Sequence, residues 1–240
     1  MLLLGPQRRL QLLALLGLEA RWAERERLAA LFWPGRDAHS ARGNLRKVLH
    51  ELRGLGVQGI EEGPAGLRWL ISSDTAVFAR ARAAADWPAA AAAGAGSLME
   101  GVDDARTPAG FADWLHQQRS DHSAQWRGAV LQAVATSDAA QALAWGQALL
   151  QMDPLDEDAL AVAWRAAQAL KLPALASELW QSYCLHLKTE LGLEPAQVLR
   201  NMVEGDDGTA THLPITEMVG RRGELQELTE IGRASCRERV

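Results

Sequence analysis

Residues 38–56 read Ala-His-Ser-Ala-Arg-Gly-Asn-Leu-Arg-Lys-Val-Leu-His-Glu-Leu-Arg-Gly-Leu-Gly, and their pattern constrains the fold more than any other stretch. Wound at about 100° per residue, they separate into two faces. Ala41, Leu45, Val48, Leu49 and Leu52 share one side. Arg42, Arg46, Lys47, His50 and Arg53 share the other, within an arc of about 140°. Glu51 stands at the margin of that basic side. Such a helix buries one face on a core and offers a row of cations by the other. The plain alternative is a solvated surface helix, but those usually mix both charge signs. A row of cations on a docked helix suits the phosphate-lined major groove of double-stranded DNA.

The flanks fix the context. Two shorter helical patterns precede this stretch, at about 7–18 and 23–31, and Pro34-Gly35 ends the second. Asp37 or Ser40 can cap the basic helix. Downstream, 57–61 and 67–72 are strand candidates, joined by Gly63-Pro64-Ala65-Gly66 as a hairpin. Three helices and a hairpin are the order of a winged helix-turn-helix, whose third helix enters the major groove. Arg68, in the hairpin, is placed to reach a flanking phosphate or the minor groove.

Charge follows the same division. Residues 1–82 hold 13 Lys/Arg against 8 Asp/Glu, a net of +5, whereas 83–230 hold 9 against 21, a net of −12. The positive field belongs to the DNA-binding end, so an acidic chain overall is no obstacle.

From about residue 74 the chain is rich in Ala and Leu at helical spacing. Breaks fall at Asp86-Trp87-Pro88, Gly94–Gly96, Gly101–Gly110, Thr136–Asp138, Asp153-Pro154, Leu172-Pro173 and Gly192–Pro195. The pairs 138–152 with 156–170 and 173–191 with 195–203 are offset by 35 residues, Ala139 to Ala174, close to the period of tetratricopeptide-like hairpins. Asp153 and Pro154, followed by acids, read as ordinary helix initiation and not as a metal loop. Trp114, Trp126, Trp145, Trp164 and Trp180 lie in helical patterns, which favours packing over a ligand cage. The Ala-rich run 84–95 permits a linker or a helix.

Other chemistries lack their residues. Two Cys and no His/Cys cluster fit a reducing cytoplasm without structural zinc. No nucleophile elbow, zinc-protease or phosphate-loop motif occurs, so no catalytic residue, cofactor or metal is expected. No run is long enough to span a membrane.

Several segments together resemble the bacterial transcriptional activator domain family, which includes antibiotic-pathway regulators. They are Leu31-Phe32-Trp33-Pro34, Ala41-Arg42-Gly43-Asn44-Leu45-Arg46-Lys47-Val48-Leu49, Phe111-Ala112-Asp113-Trp114-Leu115, Asp153-Pro154-Leu155-Asp156-Glu157 and Glu190-Leu191-Gly192-Leu193-Glu194-Pro195. The resemblance covers about residues 6–205. It implies a mainly α chain: an N-terminal winged helix-turn-helix, then an all-α tetratricopeptide-like domain in which 74–98 is a helix pair. It also adds Asn44 to the DNA-facing set of Arg42, Arg46, Lys47, His50, Arg53 and Arg68. The family's winged helix opens with a small β-sheet, for which Met1–Gly5 leaves no room. Residues 1–73 are therefore read as an incomplete DNA-binding domain, with Leu10, Leu12, Leu13 and Leu16 of the first helix left uncovered. Residues 74–205 are the activator domain. Residues 206–230 are a linker whose end, Met218–Leu225, resembles the opening of a signal-transducing ATPase domain. Residues 231–240 look like a translated sequencing adapter.

The resulting expectation is a cytoplasmic transcription regulator, an activator without catalytic role. It binds double-stranded DNA and uses its helical domain for self-association or contact with transcription machinery. The alternative is a helical-repeat interaction scaffold that does not bind DNA. A nucleotide-hydrolysing regulator would need residues beyond Glu230.

Overall fold

The computed structural model describes residues 8–100, 102 and 107–205. The segments read as linker, ATPase opening and adapter lie outside the described residues, as does the stretch before Arg8. Described residues up to Ala133 form one compact unit, and those from Val134 form another.

The first unit opens with α1 (Arg8–Glu19), α2 (Arg25–Phe32) and α3 (Ala38–Gly54), followed by β1 (Ile60–Gly63) and β2 (Gly66–Trp69). The strands pair antiparallel, Ile60 with Trp69 and Gly63 with Gly66. Ala23, between α1 and α2, adds an antiparallel bridge to Leu67: its N–H donates to the Leu67 carbonyl at 2.7 Å and its carbonyl accepts from the Leu67 N–H at 2.9 Å. This contact requires glycine at the position before Leu67. Gly66 has φ +124°, and a Cβ there would lie 2.0 Å from the Ala23 carbonyl oxygen. The winged-helix order expected from the sequence is thus the observed one.

Next come α4 (Asp74–Ala83), α5 (Trp87–Ala93) and the long α6 (Ala109–Val134). Ser73 caps α4 by accepting from the Ala76 N–H, and Asp86 caps α5 by accepting from the Ala89 N–H. The Ala-rich run is therefore helical, with Pro88 in its first turn. α6 is the spine of this unit. Phe111 and Leu115 are fully buried in one core with Leu12, Leu15 and Leu16 of α1, Leu28 and Phe32 of α2, Leu45, Leu49 and Leu52 of α3, and Leu67 of β2. Phe111 stacks on Phe32 at 5.4 Å. Farther along α6, Trp126 donates its indole N–H to the Ala91 carbonyl at 2.8 Å, and His122 meets Phe78 edge-on at 5.0 Å. One helix thus serves both the winged helix and the α4–α5 pair. The uncovered α1 face expected from the sequence is not observed: Leu12 and Leu16 are buried, and Leu10 and Leu13 are half-buried. The long-range partners Phe111 and Leu115 join that core.

The second unit stacks α7 (Ala139–Met152), α8 (Glu157–Ala169), α9 (Pro173–His186) with a π-helical turn (Leu187–Leu191), and α10 (Gln197–Glu204). α8 lies centrally, burying Ala159, Leu160, Ala161, Ala163, Trp164, Ala166 and Ala167. The α7–α8 crossing is tight: a Cβ on Gly146 would meet the Ala163 backbone nitrogen at 2.8 Å. Trp126, Trp145 and Trp164 are buried, while Trp114 and Trp180 are half-buried, so packing is their role. One expectation is corrected. Asp153-Pro154 does not start α8. Asp153 accepts from the Leu155 N–H at 2.9 Å, a local turn, and Asp156 is the cap, accepting from the Asp158 and Ala159 N–H groups. Within one acidic run, two Asx residues offered the same local bond, and the second of them lies at the helix start.

Candidate nucleic-acid interface

α3 is fixed at both ends. The Asp37 carboxylate accepts from the His39 and Ser40 N–H groups at 3.0 Å each. The bond from the Ser40 N–H, with help from the Ser40 hydroxyl, holds the Asp37 carboxyl below the usual carboxylate range. At the far end the chain leaves through Gly56 at φ +78°, with the Val57 N–H donating to the Leu52 carbonyl. Between them Ala41, Leu45, Leu49 and Leu52 are buried, so the opposite side must face outward.

That outward side divides into a ridge and its flanks. Arg46, Lys47 and His50 are exposed and make no ion pair with a described residue. Arg42 and Arg53 lie about 20–40° nearer the core and are held by carboxylates. Arg42 pairs with Glu26 of α2 at 3.4 Å and donates Nε to the Ala38 carbonyl. Arg53 pairs with Glu62 of β1, which also binds Arg25 at 3.2 Å. In the hairpin, Arg68 pairs with Glu61 at 2.6 Å and stacks 4.8 Å above the Trp22 ring. Asn44 is half-buried on the opposite flank, in a shallow groove with Arg9, Trp33 and Lys47.

The five basic residues anticipated on α3 therefore share one face, with three of them free of ion pairs to described residues at its crest. Asn44 is set at one side of it, whereas Arg68, with Glu61, lies on the hairpin face opposite to Leu67 and Glu62. Sequence reading missed Glu26, Glu62 and Arg25, whose pairings are purely tertiary. It also missed Arg9, for which the Arg8-Arg9 pair was a visible sign. The two carboxylate pairs on α3 are largely solvent-exposed, worth about 0–1 kcal/mol, so phosphates can displace them at small cost. Among the described residues, no cluster of ligating side chains suited to a metal occurs, and no helix is long and apolar enough to cross a membrane.

Residues 73–205, more than half the chain, match the family described as Bacterial transcriptional activator domain. The chain belongs to this family. The resemblance carried by the Trp-Leu, Asp-Pro-Leu and Leu-Gly-Leu segments is borne out, and the family places the chain among transcription regulators. A solved structure, "Mycobacterium tuberculosis EmbR in complex with low affinity phosphopeptide", aligns with a TM-score of 0.55 at 19% identity. The alignment covers 85% of this chain and 59% of that one, so the chain spans less than two thirds of EmbR. At that identity the likeness is one of fold: a mainly α chain with a winged helix followed by a helical domain. No match is found among curated proteins.

Proposed function

We propose that this family member is a DNA-binding transcription activator. α3 lies in the major groove of double-stranded DNA. Arg46 and His50 face the bases, Arg42 and Arg53 face the phosphates on one side, and Lys47 faces those on the other. Arg68 and Asn44 contact the backbone at the margins. The observation that carries this reading is the crest of unpaired, exposed cations on a helix whose other face and both ends are fixed. A merely solvated helix usually mixes both charge signs, whereas here the carboxylates hold only the flanking pair.

In this reading residues 1–73 bind DNA and 74–205 regulate. The second unit exposes Leu185, Leu191, Leu193 and Val198, which suits self-association or contact with transcription machinery. Residues 206–230 would lead into an ATPase domain in a longer protein, and 231–240 remain assigned to an adapter.

The test is recovery of bound duplexes from a random pool by the full chain, followed by titration across salt. If Lys47 alone neutralises a phosphate, log K falls with log salt at a slope of about −0.9 per protomer; if Arg42 and Arg53 also exchange their carboxylates for phosphates, about −2.7. Absence of any binding would leave the helical-repeat scaffold as the better reading.

A further inference from the structure

The flank of α3 that faces α1 carries a second basic surface. Arg8, Arg9 and Lys47 line its groove against one carboxylate, Glu51, with Asn44 and Trp33 between elements. Arg8 is committed to the protein: it donates to the Phe32 carbonyl, and its guanidinium sits 5.5 Å above the Trp33 ring. This closes the end of α2 and gives the groove an aromatic floor. Arg9 and Lys47 have no ion pair with a described residue. Lys47 also belongs to the crest of α3. A duplex lying along that crest therefore carries one backbone past the groove.

We propose that this groove seats a DNA backbone phosphate, with Arg9 and Lys47 supplying charge and the Asn44 amide a hydrogen bond. This rests on the DNA-binding reading above and adds α1 to the interface. Such a contact carries no sequence information. It fixes how far α3 is rotated in the groove, and so which of Arg46 and His50 reach base edges. Glu51 opposes the phosphate and tempers the contact. A phosphate needs no covalent step here, only two cations and a donor on a surface open to a passing polymer.

The experiment is a fluorescence-anisotropy titration of the full chain on two duplexes, one selected by the wild-type chain and one of unrelated sequence. Arg9→Ala should weaken both by the same factor and make the salt slope shallower by about 0.9. The wild-type advantage should then shrink about 3.5-fold between about 50 and 200 mM salt. Arg9→Lys should restore the slope, and Glu51→Gln should strengthen binding to both duplexes. If the wild-type chain binds neither duplex, the DNA-binding reading itself falls and this one with it. If it binds and Arg9→Ala leaves the slope unchanged, or weakens the selected duplex alone, the phosphate seat is overturned. Should Arg9→Ala lose its helical circular dichroism, Glu51→Gln decides: unchanged affinity overturns the proposal.

Discussion

The indole N–H of Trp114 donates to Glu19 Oε1 at 3.1 Å, joining α6 to the end of α1 across 95 residues of sequence. The same carboxylate takes Arg27 of α2 at 3.0 and 2.5 Å, and its side chain is only 4% exposed. The bond to Glu19 raises the Arg27 guanidinium above its ordinary value. A helix within the activator-domain match is thus tied to α1 and, through the shared carboxylate, to α2.

Trp114→Phe removes this donor while keeping a ring in the core. A hydrogen bond to a charged acceptor contributes about 1.5–3 kcal/mol, so the variant should lose stability in that range. Urea unfolding checks it. A midpoint equal to wild type would mean that Arg27 and Arg21 satisfy Glu19 without the indole.

Phe111 is the larger wedge. It is wholly buried among residues of the winged helix, and truncation of such a side chain costs about 3–5 kcal/mol. Phe111→Ala should therefore unfold the winged helix along with α6. For the same reason a fragment ending at residue 133 should melt cooperatively, whereas one ending at 73 should not. Equal, sharp melts of the two fragments would contradict the shared core.

Much of this fold was legible, and what was not has a common cause. Helix limits were readable wherever a residue carried its own stop or start: Pro34-Gly35 after α2, Asp37 before α3, Asp138 before α7, Pro173 at the start of α9. The amphipathic pattern of α3 named its buried face correctly. The misses involve partners far apart in the chain. Ala23 binding Leu67, Phe111 filling the core of α1–α3, and Glu62 holding Arg53 depend on tertiary placement that no local pattern encodes. β1 began at Ile60 because the exit from α3 through Gly56 uses the residues before it.

Glu62 should restrain affinity. Glu62→Gln releases Arg53 and Arg25 at a cost in stability below about 1 kcal/mol, since the pair is partly exposed. Binding to unrelated duplex should strengthen, and the salt slope should steepen by about 0.9 for each arginine that turns to a phosphate. Unchanged affinity together with an unchanged slope would show that Arg53 does not reach the backbone.

The α3 cap sets a pH dependence. The Asp37 carboxyl is held low by the Ser40 N–H in the folded chain, so its contribution is fully present above the unfolded value of about 3.9 and is lost as pH falls through the folded value. Amide exchange at Ala38–Ala41 should accelerate on acidification below that point beyond the intrinsic trend. In Asp37→Ala this extra acceleration should be missing; its persistence would assign the effect to another group.

The central claim is that the crest of α3 reads sequence. The most direct measurement is the ratio of affinities for selected and unrelated duplexes, taken at one salt concentration for Arg46→Ala, His50→Ala and Arg42→Ala. A base contact is worth about 1–3 kcal/mol of discrimination, so at least one crest variant should lose about 5- to 150-fold in that ratio and relax preference at one position. Arg42→Ala should weaken both duplexes alike. If the ratio stays at its wild-type value in Arg46→Ala and His50→Ala, α3 is not the reader of sequence and the account is wrong.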